Sequence, residues 1–395
     1  MSAFPITLSF TVLAIIVGKA GGSAFEVSMV VTIHFLGLLL FAPVWGALAD
    51  STGRRLAVLL GTTALAALTL VLLGVTDLVW GLIGMRGLFA VFVAAYAPLT
   101  FTIVSEHGGT DGRGRLLGEF NSARSLGFAL GQLSSGVFLA LFTSLEIFVV
   151  LGGLYLGVLV AVGLFEDPSQ TRPVTPNPSR VVAEVKRRLV PVADDRDHLR
   201  TNGLHYLYVA TALHSVTFFG ILSLLPVYLT VDIGVTEVLM GTFLAMNPGG
   251  RAVFMYVFGH VADLRGRKSM ITWGLVGSGV FPIVLATATY PDILFHRKLI
   301  AGAGFLVMAL ALSAYIIGSL AFIGDIASID RESELMGLRD TAMGVGGVVG
   351  PALFGGVVTL LDYPSAFVVW STFAFLGAVL VAWRLTEPAQ RPTVR

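Results

Sequence analysis

Ionisable side chains stand inside long apolar stretches of this chain, where a charge is costly and usually serves a function. Arg251 follows Asn247-Pro248-Gly249-Gly250 in the middle of such a stretch. Proline removes a backbone hydrogen bond and glycine loosens the turn, so we expect local unwinding of the helix beside a polar cavity. Arg251, with Asn247, is therefore the first candidate for binding a small molecule.

Two further arginines and two tyrosines occupy comparable places. Arg86 lies well inside its apolar stretch, where it fits an anion-binding residue, a residue that tunes a nearby acid, or a structural residue bonded to backbone carbonyls. Arg124, with Asn121, fits either substrate binding or extension of its charge to the membrane surface. Tyr96 and Tyr315 fit either stacking on a substrate or ordinary packing between helices.

The remaining candidates are two histidines and one possible ion pair. His34 and His214 titrate near neutral pH, so each fits a proton relay or a hydrogen bond between helices. Lys19 and Glu26 are spaced to pair at the end of the first stretch, although Glu26 also fits a plain loop position. These residues are the candidates for binding or transferring a proton.

A charged segment of ten residues occurs twice, each time after a long apolar run. Gly46-Ala-Leu-Ala-Asp50-Ser-Thr-Gly53-Arg54-Arg55 is matched by Gly259-His-Val-Ala-Asp263-Leu-Arg-Gly266-Arg267-Lys268. We name these copies hinge 1 (46–55) and hinge 2 (259–268). A second set is also repeated, as Gly118, Ala123, Gly127, Gly131 and then Gly337, Ala342, Gly346, Gly350. Such repeats indicate a chain built from two equivalent halves.

The composition is that of a membrane protein. The chain is 55% hydrophobic and 12% charged, whereas a soluble domain carries about 25% charged residues. A net charge of +1 and scattered basic residues argue against a nucleic-acid partner. Cysteine is absent, and so are the H-E-x-x-H, G-x-S-x-G and G-x-x-x-x-G-K-[ST] motifs. We therefore expect no enzyme activity, metal or cofactor.

Apolar runs long enough to cross a bilayer, which takes about 20 helical residues, recur along the chain. They are 3–24, 27–49, 56–76, 79–104, 116–141, 146–165, 203–230, 237–262, 269–289, 298–324, 335–361 and 364–386. They predict an all-α integral membrane protein with twelve spans in two parallel six-helix halves, 1–165 and 203–395. The segment 166–202 predicts a proline-rich cytoplasmic linker that ends in a basic amphipathic helix on the membrane surface.

Lysine and arginine predict the orientation of the spans. With both hinges in the cytoplasm, nearly all basic residues outside the spans lie on that side, and Arg297 and Lys298 are the exceptions. Both termini of this multi-pass protein of the cytoplasmic membrane are then cytoplasmic. The first run lacks a basic region before it, which favours a retained helix over a signal peptide.

The two parallel halves, the long linker and a hinge after the second and eighth spans resemble the major facilitator superfamily. The resemblance covers essentially the whole chain, and each hinge is similar to that superfamily's signature loop, motif A. It implies a monomeric secondary transporter of a small molecule that works by alternating access. Arg86-Gly-Leu-Phe89-Ala90 lacks the Gln and Gly of the antiporter pattern Arg-x-x-Gln-Gly. Uptake by symport and a non-transporting sensor therefore stay open beside proton-coupled efflux.

The resemblance also implies a gate at hinge 1. Asp50 would contact the start of the eleventh span, in the region of Arg339, and Arg54 would reach Glu106 at the end of the fourth. These contacts would hold the cytoplasmic side closed in the outward-facing state.

Hinge 2 would repeat the gate by internal symmetry. Asp263 would face the start of the fifth span, and Arg267 would reach Asp325. The first glycine of each hinge would allow a neighbouring helix to approach, and the second would allow the backbone to turn. These glycines complete the predicted gate: Gly46, Gly53, Gly259 and Gly266.

Overall fold

The computed structural model describes residues 2–165, 178–189, 197–327 and 331–388. Within these residues the chain forms fourteen α-helices, which confirm the predicted all-α fold. They are α1 (Ala3–Lys19), α2 (Ala24–Thr52), α3 (Arg55–Gly74), α4 (Val79–Val93), α5 (Tyr96–His107), α6 (Gly109–Leu141), α7 (Ser144–Gly163), α8 (Pro178–Leu189), α9 (Leu204–Val227), α10 (Glu237–Arg265), α11 (Arg267–Thr287), α12 (Leu294–Ile326), α13 (Glu332–Leu360) and α14 (Tyr363–Arg384). Because α4 and α5 form one span and α8 lies in the linker, the predicted twelve spans are present.

The spans differ in how apolar they are. By length and composition, 9 spans of the described chain suffice on their own to cross a membrane. The other three are α1, which has 17 residues, and the longer helices α6 and α10, which carry charged and amide side chains along their length. Helices α6 and α10 pack against each other between the two halves. Their lower hydropathy therefore marks the interface between the halves rather than a failure to span.

The same helix pairs form in both halves. In the first, α1 packs against α6, α2 against α4, and α3 against α4 and α7. In the second, α9 packs against α13, α10 against α12, and α11 against α12 and α14. Counting α4 and α5 as one, each of these contacts of the first half has its counterpart in the second. This pattern agrees with a chain built from two parallel repeats.

The repeated glycines explain two of these matching contacts. An added Cβ at Gly127 of α6 would lie 3.0 Å from the Cβ of Ala3 on α1. Its counterpart Gly346 on α13 faces Ser215 of α9, where an added Cβ would overlap the serine side chain. Small residues let membrane helices approach closely, so each glycine allows its helix to pack on the first helix of its half.

Local signals set where the helices begin and end. Ser23 and Glu26 form a capping box at the start of α2, in which each side chain accepts a hydrogen bond from the other residue's backbone N–H. Gly53 ends α2 with a φ of 62°. The fourth span is divided after Val93, and Pro98 follows in the first turn of α5. Proline cannot donate a hydrogen bond to the preceding turn, which accounts for the break.

The linker contains the helix that was predicted there. Helix α8 packs against α2 near hinge 1, while residues 166–177 and 190–196 lie outside the described part of the chain. Its placement on the membrane surface stays a prediction.

Candidate transport pathway and gate

The two halves meet at the end of the molecule opposite the hinges, which we name the distal face. Here α6 crosses α10 at two glycines: a Cβ at Gly136 would overlap the backbone of Glu237, and one at Gly241 would lie 2.9 Å from the carbonyl oxygen of Gln132. Lys19 Nζ lies 2.5 Å from Glu237 Oε1, which links α1 to α10. The distal face is therefore closed.

The second contact between the halves joins α2 to α13. Gly355 lies against the side chain of Ser28, close to the distal face. Farther along, a Cβ at Gly347 would lie 2.5 Å from the ring of Phe35, and that ring lies 4.3 Å from Phe219 of α9, centroid to centroid. Packing between the halves thus extends from the distal face to the middle of these helices.

The opposite end, which carries the hinges and is named the hinge face, is open. Among the described residues, no atom of another element lies within 4 Å of the Cβ positions at Gly118, Gly259 and Gly337. The expected close approach of a helix at Gly259 is therefore wrong for this conformation, while Gly46 is buried.

Hinge 1 holds an ion-pair network within the first half. Arg55 Nη1 lies 2.7 Å from Glu106 Oε1, and Arg55 Nε lies 3.4 Å from Asp50 Oδ1. The predicted partner of Glu106 was Arg54, and that prediction is wrong by one residue. Helix α3 begins at Arg55, whose side chain points back toward the preceding turn, whereas Arg54 precedes the helix and is exposed.

Hinge 2 holds the expected pair within the second half. Arg267 Nε lies 3.1 Å from Asp325 Oδ2. Gly266 turns with a φ of 86° and a ψ of 154°. The carboxylate of Glu387, which follows α14, accepts hydrogen bonds from the backbone N–H groups of Arg267 at 2.5 Å and Lys268 at 2.9 Å. These amides begin α11, so Glu387 caps that helix.

The expected contact of Asp50 with Arg339, both of which the structure describes, does not form. Arg339 donates to Ser319 Oγ at 3.3 Å and pairs with Asp340 Oδ1 at 3.3 Å, and it does not bond to Asp50. The contact was expected for a closed hinge face, and this face is open. The side chain of Asp263, expected to face the start of α6, lies outside the described part of the chain.

Arg251 lies midway along α10, one turn after Asn247. The helix continues unbroken through Pro248, so the expected local unwinding is wrong. Packing of α10 against α6 and α12 supports the helix where proline removes one hydrogen bond. Arg251 Nε and Asn247 Oδ1 are both shielded from solvent, and neither has a hydrogen-bond partner. Positions four apart share a helix face, so these atoms present an unsatisfied donor and acceptor on one side of α10.

Arg124 and Arg339 bring further charge to the same region. Both interact electrostatically with Arg251, and Arg124 also interacts with Asp340 across the two halves. Arg124 is exposed, with its guanidinium carbon 5.4 Å from the ring centroid of Phe128. It lines a cleft of about 50 Å³ together with Tyr96. Asn121, on the preceding turn, is exposed as well.

Arg86 and His34 form a separate buried cluster inside the first half. Arg86 Nη1 donates to Ser9 Oγ at 2.8 Å, and its guanidinium carbon lies 3.9 Å from the ring centroid of Phe10. The His34 ring meets the same phenyl ring edge-on at 4.5 Å. Arg86 Nε and Nη2 and His34 Nδ1 have no partner. Among the described residues, Arg86 thus bonds to a hydroxyl rather than to backbone carbonyls.

His214 and Tyr315 form a buried cluster inside the second half. Their ring centroids lie 4.2 Å apart, and Tyr315 Oη donates to Thr211 Oγ1 at 2.7 Å. His214 Nδ1 is shielded and has no partner. Tyr96, at the start of α5, lies instead in the small cleft of the first half beside Arg124. The two tyrosines therefore have different surroundings.

Lys19 and Glu26 do not pair, which corrects that expectation. Glu26 bonds to the backbone N–H and the hydroxyl of Ser23, whereas Lys19 reaches Glu237 in the other half. The capping box holds Glu26 in the first turn of α2, so the plain loop position is also wrong.

Sequence analysis missed two acidic residues, Glu387 and Asp232. Asp232 ends a π-helical turn, Tyr228–Asp232, and its Oδ2 is shielded without a partner. Both residues lie just beyond the end of an apolar run, where hydrophobic patterning carries no information about side-chain contacts. The π turn has no sequence signal of its own, although such turns are frequent at functional sites.

Comparisons with known proteins agree with this geometry. The chain matches the family Major Facilitator Superfamily over residues 1–246 and 207–395. It is 21% identical to the multi-drug resistance efflux pump PmrA homolog of Lactococcus lactis, over 96% of this chain and 90% of that protein. It is 22% identical to the multidrug resistance protein MdtG of Citrobacter koseri, with the same coverage.

A solved structure has the same fold. A bacterial homolog to the human lysosomal transporter Spinster, in an inward-facing and occupied conformation, superposes with a TM-score of 0.74 at 14% identity. The alignment covers 98% of this chain and 96% of that one. Since the family match extends over both halves and the fold agrees over almost the full length, this multi-pass membrane protein belongs to the Major Facilitator Superfamily.

Proposed function

We propose that this protein is a secondary active transporter that exports a small molecule by alternating access, with protons as the coupling ion. The observation that carries the proposal is the asymmetry between the two ends of the molecule. The halves pack together at the distal face and separate at the hinge face, and the Arg55–Glu106 and Arg267–Asp325 pairs each lie within one half. Two halves that rock about a central site require a state of this kind.

We assign the hinge face to the cytoplasm. The distribution of lysine and arginine supports this orientation, because basic residues collect in cytoplasmic loops. The protein is then inward-facing, its linker 166–202 and both termini are cytoplasmic, and it acts as a monomer. In the outward-facing state Asp50 and Arg339 would come together and close the hinge face.

Export is favoured over uptake by the comparisons. Two relatives that align along nearly the full chain carry names that denote multidrug resistance. For the substrate site we propose Arg251 and Asn247. For the coupling site we propose Asp232, because a shielded carboxylate without a partner is costly and binding a proton relieves that cost.

Flux measurements in proteoliposomes test the function. Vesicles with an imposed proton gradient are loaded with a panel of dyes that includes carboxyfluorescein and rhodamine 6G, and efflux is compared with proton movement. We expect compound and protons to move in opposite directions, and Arg251→Ala and Asp232→Asn to abolish coupled flux. Asp77→Asn, an exposed acid in a loop at the distal face, is the control. Compound that moves with protons would establish symport, and a chain that moves no compound would be a sensor.

Engineered cysteines test the orientation, because the chain has none of its own. Arg115→Cys lies at the hinge face with its side chain 82% exposed, and Tyr290→Cys lies at the distal face with 73% exposed. In intact cells an impermeant thiol reagent should label position 290 only. Labelling at 115 instead would reverse the assignment.

A further inference from the structure

We propose that the opening between the halves binds organic anions, and that Arg124, Arg251 and Arg339 together recognise the negatively charged group. This proposal rests on the transporter function given above and deepens it, since it names the chemical class of the substrate.

Three arginines from three helices and from both halves lie within electrostatic range of one another. Arg251 lies midway along α10, Arg124 near the middle of α6, and Arg339 in the second turn of α13. Arg251 interacts electrostatically with each of the other two. A cation in the middle of a membrane span is costly, so Arg251 and Arg124, with Arg339 nearer a helix end, indicate a function.

The positive charge of this cluster is only partly balanced. Within the described part of the chain, the carboxylate that interacts with it is Asp340, and Asp340 pairs with Arg339 at 3.3 Å. Arg124 has an aromatic neighbour, Phe128, but no ion pair. Arg251 has neither an ion pair nor a hydrogen bond for its shielded Nε. Among the described residues, two of the three guanidinium groups, those of Arg124 and Arg251, therefore form no ion pair.

The donor and acceptor atoms that have no hydrogen-bond partner indicate the chemistry of the ligand. A guanidinium group presents paired N–H donors that match the oxygens of a carboxylate, sulfonate or phosphate. Asn247 Oδ1, one turn from Arg251, is a shielded acceptor without a donor. The site therefore fits a molecule with an anionic group and a neighbouring O–H or N–H, while Tyr96 beside Arg124 offers an aromatic wall.

The position of the cluster connects anion binding to the motion of the halves. Arg124 belongs to the first half, whereas Arg251 and Arg339 belong to the second. Closing the hinge face would exclude water and bring like charges together, and repulsion grows as the surrounding dielectric falls. An anion held between the halves converts this repulsion into attraction. The empty protein therefore stays open at the hinge face, and an anionic substrate allows it to close.

Two xanthene dyes of opposite charge test the preference for anions. Anionic carboxyfluorescein and cationic rhodamine 6G share a ring system, so their binding to protein in nanodiscs isolates the effect of charge. We expect wild type to bind carboxyfluorescein more tightly, with an affinity that falls as salt rises. Equal binding, or tighter binding of rhodamine 6G, would overturn the proposal.

Substitutions test whether these arginines are responsible. Arg124→Gln and Arg251→Gln should each weaken carboxyfluorescein binding by at least about tenfold, because each removes a charged hydrogen-bond donor. Arg251→Lys keeps the charge but loses the planar pair of donors. Its affinity for carboxyfluorescein should lie between those of wild type and Arg251→Gln. The control Arg384→Gln removes an exposed arginine at the end of α14 and should stay within about twofold of wild type. Thermal unfolding identifies variants that fail to fold. A loss no larger than in the control would overturn the assignment.

Closure of the hinge face gives an independent readout. Spin labels at Arg115→Cys on α6 and Leu264→Cys on α10 report the separation of the halves at that face. Carboxyfluorescein should shorten this distance in wild type and leave it unchanged in Arg251→Gln, whereas shortening in both would contradict a role of the charge in closure. A protein that transports rhodamine 6G but binds no anion keeps the transporter function and loses this proposal. A protein that binds anions but transports no compound keeps this proposal and loses the transporter function.

Discussion

Hinge 1 and hinge 2 share a sequence pattern but not a set of supporting contacts. In hinge 1 the turn is Gly53 with a φ of 62° and a ψ of 21°, and Arg55 bridges two carboxylates. In hinge 2 the turn is Gly266 with a φ of 86° and a ψ of 154°, and Arg267 pairs with Asp325. Hinge 2 also receives the Glu387 carboxylate on its backbone.

Comparing the two hinges shows which features of the repeated segment do not depend on the neighbouring parts of the chain. Both hinges need a glycine at the turn and a basic residue that reaches the acid at the end of the fourth span of its half. Hinge 2 has further contacts with neighbours outside the repeat. Hinge 2 is next to the segment after α14, where Thr386 pairs with Asn202, so the end of the second half is held against the beginning of that half. Glu387 and the Asn202–Thr386 contact therefore brace hinge 2 from outside the repeat.

Replacing each turn glycine by alanine should have the largest effect on stability and should separate the two hinges most clearly. At Gly266 the backbone lies in a region that glycine alone readily adopts, and an added Cβ would lie 2.9 Å from Glu387 Oε1. We expect Gly266→Ala to cost about 2 kcal/mol of unfolding free energy. Gly53→Ala occupies the left-handed helical region and should cost about 1 kcal/mol. Reversible unfolding in mixed micelles measures both, and equal losses would contradict the difference between the hinges.

Removing the carboxylate that braces hinge 2 should have the next largest effect. Glu387→Gln takes away a charged acceptor of two backbone hydrogen bonds and should lower the unfolding free energy by about 1 kcal/mol. Hydrogen exchange should rise in the first turn of α11 and stay unchanged at the start of α3. Equal exchange at both helix starts would show that Glu387 does not distinguish the hinges.

The smallest effect concerns which arginine of hinge 1 holds Glu106. Arg55→Gln removes a pair that is partly exposed to solvent and is worth less than about 1 kcal/mol. It should shift the balance between open and closed hinge faces by up to about fivefold, as read from spin-label distances. Arg54→Gln, the adjacent control, should leave that balance unchanged. A larger effect from Arg54 would restore the pairing predicted from sequence.

The helices were predictable because a helix that crosses a membrane needs a long run of apolar residues, and such runs can be read from the sequence. The duplication was predictable for a related reason. Matching glycines such as Gly127 and Gly346 must remain small where helices cross, so the repeat persists in the sequence.

The contacts of individual side chains were harder to predict from the sequence. Choosing between Arg54 and Arg55 requires the first residue of α3, and helix starts cannot be read to one residue from hydrophobicity. The pairing of Lys19 with Glu237 joins residues far apart in sequence and depends on which face of the molecule is closed. The predicted approach of Asp50 to Arg339 belongs to another conformational state, which a single sequence does not distinguish from this one.

The unbroken course of α10 through Pro248 has a mechanical consequence. One rod of 29 residues runs from the contact of Glu237 with Lys19 to the turn at Gly266, a length of about 43 Å at the usual helical rise. A tilt of about 10° around its distal end would move the far end by about 7 Å, and its midpoint, where Arg251 lies, by about half of that. A helix that bent freely at the proline would absorb the same rotation locally. The continuous rod instead works as a lever, which converts a small change at the distal face into a displacement wide enough to admit or exclude a solute at the other end.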